Sequence, residues 1–245
     1  MKRRYEKIFS PAIGREVQVL AFGHYGAPLI AFPSGGGQFF DFEENGMITA
    51  IVPLIEAGKL KVYCPESLDH ESWLAHIDPH HRAMRHGAYE SFVLHHLVPA
   101  IREDCGDGSI TVALTGCSLG AFHAANFALK HPHLFPYALC LSGRYDVTAI
   151  TGPTHSQDVY YNNPLAYVRG FEGAHLEFVR QNAHLVLVCG QGAWEDKCLR
   201  DTNALADLLT EKGIPHKRDI WGHEAEHHWY WWGKQLSHHL NQALG

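Results

Sequence analysis

No stretch of this 245-residue chain approaches the ~18 consecutive apolar residues that cross a bilayer, so no membrane span is expected. A surplus of positive charge is also missing: 20 Lys and Arg stand against 26 Asp and Glu, a formal net charge of -6. An acidic surface is not drawn to nucleic acid or anionic lipid, which excludes both as expected partners and leaves a small molecule. The six cysteines, at 64, 105, 117, 140, 189 and 198, form neither a disulfide framework nor a zinc spacing. Most lie in or beside apolar runs, where cysteine acts as a small hydrophobe. Internal repeats, low-complexity tracts and hinge linkers are lacking as well. The basic start, M-K-R-R-Y-E-K-I-F-S, is followed by no apolar h-region, and a cytoplasmic protein is expected.

What is present is core material. Hydrophobic residues make up 46% and charged residues 19% of the chain, a composition that folds rather than staying disordered. The length suits one α/β domain over residues 1–245. Glu16–Phe22 and Leu29–Phe32 read as strands joined by the turn-rich G-H-Y-G-A-P, a hairpin at one sheet edge. A helix follows over 45–57, then a buried strand at 60–64, a histidine-bearing loop over 65–87 and a helix over 88–103. Further strands are expected at 110–114, 137–141, 184–189 and 217–221, with helices over 196–212 and 230–244. Residues 144–182 show no sustained period and read as an irregular insertion. Strands alternating with helices imply a mostly parallel central sheet with helices on both faces and no large lid domain.

The chain is organised around I-T-V-A-L-T-G-C-S-L-G-A-F-H-A-A-N-F-A-L-K, Ile110 to Lys130. Its apolar, β-branched start reads as a strand buried on both faces, and from Leu119 the spacing turns helical. Ser118 sits on the turn between them, inside G-C-S-L-G, which fits the G-x-S-x-G nucleophile elbow. So tight a turn strains its central residue and leaves no room for a β-carbon at its flanks, which explains Gly116 and Gly120. The Leu119 amide, at the helix start, is then aimed at an oxyanion forming on a substrate held by Ser118.

A serine hydroxyl needs a base and an orienting acid. In open α/β sheets both should come from beyond the carboxyl ends of strands. After the strand at 184–189 comes G-Q-G-A-W-E-D, offering Glu195 and Asp196. After the strand at 217–221 comes G-H-E-A-E-H-H-W-Y-W-W, offering His223, His227 and His228. The order serine, carboxylate, histidine is that of α/β-hydrolases.

These three segments resemble the putative-esterase family of the α/β-hydrolases, which includes esterase D or S-formylglutathione hydrolase, feruloyl esterases and mycolyltransferases. The resemblance runs from about Glu16 to Leu240. It implies an ester hydrolase with no cofactor and no metal, acting on a small-molecule ester. Through the family's G-x-x-D and H-x-W patterns it implies Glu195 as acid and His227 as base. The acid position holds Glu where most members have Asp, with Asp196 as the alternative. Glu226 also stands where the family usually has Gly. The second oxyanion donor is implied in P-S-G-G-G-Q after Phe32: Gly36, then Gly37.

Other readings compete for the same residues. H-E-A-E-H, His223 to His227, spells the H-E-x-x-H zinc signature, which works only on a helix, and a run that follows a strand and Gly222 is a poor candidate for one. The twenty histidines, H-I-D-P-H-H among them, read as hydrophilic loop residues rather than metal ligands. Acyl transfer would use the same triad, and a non-catalytic binding protein would have lost a member of it. If the protein is not a monomer, a homodimer is the commonest assembly.

Overall fold

The computed structural model describes residues 1–244. Among them, eight strands form one sheet in the order β1-β2-β4-β3-β5-β6-β7-β8. β1 (Arg3–Ser10), β2 (Arg15–Phe22) and β4 (Leu60–Pro65) pair antiparallel in that sequence. From β4 onward the sheet is parallel: β3 (Ala27–Phe32), β5 (Ala113–Cys117), β6 (Tyr137–Leu141), β7 (His184–Cys189) and β8 (His216–Ile220). The expected mostly parallel sheet is therefore present.

Helices cover both faces because strand side chains alternate in direction. In β3, Ile30 and Phe32 join one core with Tyr89, Ile101, Phe127 and Leu205 from helices. Leu29 and Ala31 join the opposite core with Ile48, Ile55, Trp232 and Leu236. The helix Leu119–Lys130 is buried at every residue but Lys130, which fixes the elbow at its start against both sheet and neighbouring helices. Its terminal Lys130 and the following His131 both pair with Glu90, a link to the helix Pro79–Phe92.

Four expectations are corrected. The edge hairpin is β1 with β2, whereas β3 lies two strands away from β2 because β4 enters between them. The helix over 45–57 is two short ones, Met47–Ala50 and Val52–Glu56, divided at Ile51 just ahead of Pro53, and a third, Asp41–Glu44, precedes them across left-handed Gly46. The loop over 65–87 ends early: Asp78 caps a helix starting at Pro79, which carries His80, His81 and His86. The insertion over 144–182 is largely helical, with turns at Thr148–Thr151, Gln157–Tyr160 and Pro164–Tyr167 and a longer helix at Gly173–Asn182.

The elbow glycines are packing requirements. A β-carbon on Gly120 would fall 2.1 Å from the Pro33 carbonyl oxygen and 2.5 Å from that of Phe32. One on Gly116 would lie 2.3 Å from the Gly120 backbone. Gly120→Ala is expected to destabilise the fold by on the order of 3 kcal/mol, because both obstructing atoms are backbone. An unchanged urea midpoint would contradict that packing.

Candidate active site

Ser118 lies just past the end of β5 with φ 56° and ψ -115°, a strained conformation for a residue with a β-carbon. Its amide donates to the Leu141 carbonyl at the end of β6, 2.8 Å away, which anchors the turn to the sheet. The Ser118 Oγ is 3.1 Å from His227 Nε2, although the two residues are 109 positions apart. On the far side of the ring, His227 Nδ1 is 3.2 Å from Glu195 Oε2. Glu195 is 1% exposed, whereas Asp196 is exposed and starts the helix Asp196–Glu211.

The Glu195 carboxylate is held from several sides. Ser142 Oγ donates to Oε1 at 2.5 Å and is itself approached by Trp232 Nε1 at 3.0 Å. The Cys189 thiol donates to Oε2 at 3.4 Å. Trp232 also packs edge-on against the His227 ring, centroids 4.8 Å apart. Cys198 Sγ lies 3.7 Å from His227 Nδ1. Burial, and then the Glu195 charge, pushes the Cys198 thiol up to about 12.

The loops bearing Glu195 and His227 extend the β7–β8 pairing beyond the strands. Trp221 N donates to Cys189 O at 2.9 Å, Gly192 N to Ala225 O at 2.8 Å, and His227 N to Ala193 O at 3.0 Å. A β-carbon on Gly190 would meet the Ala225 oxygen at 2.0 Å, so this contact depends on glycine. Within the loop after β7, Trp194 takes φ 68° and is 87% exposed, and the chain turns inward at Glu195. The segment from Gly222 to His228 is turn and bend, so His223 and His227 are not paired on a helical face as a zinc signature requires. His223 is exposed, its ring nearest the Gln191 carbonyl.

One expected residue is engaged elsewhere. The Gly36 amide donates to Asp69 Oδ2 at 3.0 Å, so its single proton is not directed at the site. Asp69 is fully buried and also accepts from His123 Nε2 at 2.8 Å, tying the glycine loop to the helix that starts after Ser118. Gly36 needs its glycine for another reason: φ is 71° and a β-carbon would strike the His70 ring at 2.5 Å. Gly35 instead borders the cleft and lies against Leu119, 3.5 Å from a β-carbon position to the Leu119 Cβ. Asp69→Ala would strand the Gly36 amide and the His123 ring without a buried partner, an expected loss of about 3 kcal/mol in urea unfolding. Asp69→Asn, which keeps an acceptor for Gly36, should lose less.

Asp69, His123 and Ser142 carry structural roles here that the sequence did not assign. Only the S-G after Leu141, at a strand's carboxyl end, gave a positional signal for one of them.

The cleft above Ser118 has a volume of ≈ 470 Å³, and Leu74, Leu119, Ile150, Trp229 and Trp232 are among its walls, with Arg144 beside them. A serine on a strand-to-helix elbow, facing a histidine and a carboxylate beyond the carboxyl ends of a mostly parallel sheet, defines an α/β-hydrolase fold. The family model described as "Putative esterase" matches residues 37–243, and the chain belongs to that family of carboxylic ester hydrolases. Solved structures agree in fold. A ferulic acid esterase superposes with a TM-score of 0.78 at 17% identity, covering 99% of this chain and 98% of its own. The S-formylglutathione hydrolase of Staphylococcus aureus gives 0.73 at 14% identity, covering 100% and 97%. That of Agrobacterium tumefaciens gives 0.68 at 17%, covering 99% and 95%. Comparison with curated protein sequences gives no match.

Proposed function

We propose that this protein is a serine esterase that hydrolyses small or soluble carboxylic esters through an acyl-enzyme on Ser118. The observation that carries the reading is the unbroken run of contacts from Ser118 Oγ to His227 Nε2 and from His227 Nδ1 to Glu195. In this scheme His227 Nε2 takes the hydroxyl proton as Oγ attacks the ester carbonyl, while Glu195 keeps the other nitrogen protonated and steadies the imidazolium. The tetrahedral oxyanion faces the amides of Leu119 and Gly35. Gly35 takes the place expected of Gly36, whose proton Asp69 uses. Collapse of the intermediate breaks the bond to the alcohol, which leaves with the proton from His227. Water, deprotonated by the same nitrogen, then releases the acid and restores Ser118.

The scheme uses only this chain's side chains and amides, without a cofactor. The apolar walls suit a short acyl or alcohol group, and the cleft falls in the usual range for a small ligand. A cytoplasmic location belongs to the same reading, since six free thiols suit a reducing compartment.

A panel of p-nitrophenyl esters of rising chain length, run with and without a fluorophosphonate, tests the proposal. The expected result is turnover of short esters, inactivation by the phosphonate and one adduct located by mass spectrometry on Ser118. Turnover that survives the phosphonate, or that a chelator abolishes, would overturn it.

A further inference from the structure

The mechanism leaves one group beside the base unused. Cys198 Sγ, three residues after Glu195, faces the same His227 nitrogen that Glu195 holds. The Sγ, the imidazole nitrogen and a carboxylate oxygen of Glu195 all lie within 4.8 Å of one another. We propose that Cys198, His227 and Glu195 form a site for a thiophilic divalent cation of the Zn²⁺ or Cd²⁺ class, and that its occupation switches the esterase off.

The distances fit the chemistry. Tetrahedral zinc with ordinary bond lengths to sulfur, nitrogen and oxygen sets S and N about 3.5 Å apart and N and O about 3.3 Å apart. Here Cys198 Sγ to His227 Nδ1 is 3.7 Å and His227 Nδ1 to Glu195 Oε2 is 3.2 Å. Both edges that meet at His227 Nδ1 are within about 0.2 Å of those values, and the sulfur and the carboxylate oxygen lie within 4.8 Å of each other. The carboxylate is already fixed by Ser142 through its other oxygen, so one ligand is oriented before the ion arrives. Cys198 and Glu195 share one short segment, at the start of the helix Asp196–Glu211, while His227 arrives from the neighbouring loop. The ion therefore bridges the acid and base segments where the Nδ1 proton now does.

The coordination balances simply. The Cys198 thiol gives its proton to solvent and binds as thiolate, Glu195 remains a carboxylate, and His227 stays neutral. With the ion on Nδ1, the ring proton moves to Nε2. That nitrogen then has no lone pair with which to take the Ser118 proton, and attack on the ester stops. Removing the ion restores the resting tautomer, so the effect reverses.

This switch rests on the esterase reading above, but ion binding can be followed without any ester. Cadmium chloride added to the purified protein should produce a thiolate-to-cadmium charge-transfer band in the ultraviolet, rising to one equivalent. The band should vanish in Cys198→Ser and persist in Ser118→Ala. The other five cysteines are common to both proteins and subtract, and the trio Asp219, His238 and His239 has no sulfur to contribute. In the ester assay, zinc should inhibit and EDTA should reverse it. Cys198→Ser, measured against its own uninhibited rate, should need about tenfold more zinc or beyond for half-inhibition. Thermal melting of Cys198→Ser and Cys198→Ala confirms that each is folded. A band unchanged in folded Cys198→Ser overturns the site. A band lost while zinc inhibition stays the same overturns the switch. Loss of ester turnover with the cadmium band intact would instead count against the esterase reading alone.

Discussion

Ser118→Ala is expected to lower kcat on a short p-nitrophenyl ester by roughly five to six orders of magnitude, leaving only the acceleration due to binding and the oxyanion donors. The size follows from the geometry. The alanine methyl occupies the same strained position at φ 56°, so the elbow persists while the hydroxyl 3.1 Å from His227 Nε2 is gone. KM should change little, because the cleft walls are untouched. Nucleophile and base act as one unit, so adding His227→Ala should cost almost nothing more. A single variant that keeps more than about a hundredth of the wild-type rate would show that Ser118 is not the attacking group.

The second large effect separates two adjacent carboxylates. Glu195→Gln is expected to lower kcat by about four orders of magnitude, and Asp196→Asn to leave it near the wild-type value. The wild-type carboxylate accepts from every neighbour: Ser142 Oγ at Oε1, with Cys189 Sγ and the Nδ1 proton of His227 at Oε2. Glutamine is of equal size but must turn its amide protons toward one of these donors. The cheapest relief is to move the imidazole proton to Nε2, which deprives Ser118 of its base. Asp196 is exposed and should contribute nothing of the kind. Steady-state kinetics on folded variants decide the matter, and equal losses at the two positions would refute the assignment of the acid to Glu195.

The sequence was most legible where burial left a simple pattern. β6, and β7 after its exposed first residue His184, run apolar because both faces are covered, and the helix at 196–211 carries a clear apolar stripe. β1 is hard to read because it is an edge strand whose exposed positions mix Arg3 and Lys7 with Tyr5 and Phe9, while Arg4 and Glu6 share the half-buried side with Ile8, so hydrophobicity and burial do not alternate together. The pairing of β2 with β3 was expected from their closeness along the chain, but no local feature announces that β4 will enter between them. The helix from Pro79 was hidden by H-H-R-A-M-R-H, a polar run in which His86 is nevertheless fully buried.

At the site, Ser118, Glu195 and His227 could each be named from a short motif, since each follows a strand end at fixed spacing. Gly36 could not be judged that way. Its amide goes to Asp69, a residue on a single 3-10 turn too short to show a period and 33 positions away, and only the folded chain brings the two together. The choice between Glu195 and Asp196 had the same character. It depends on where the helix begins, and the left-handed turn at Trp194 settles which carboxylate faces inward.

The backbone bonds that join the loops after β7 and β8 make His227 and Glu195, the proposed base and acid, a single mechanical cassette, separate from the elbow that carries Ser118. β6 stands between the two parts, and Ser142 at its end is the rivet. Thermal loosening along the β5–β6 seam would part the serine from an otherwise intact pair, so catalysis should fail at a lower temperature than the fold does. A transplant between homologues would succeed only if both loops travelled together.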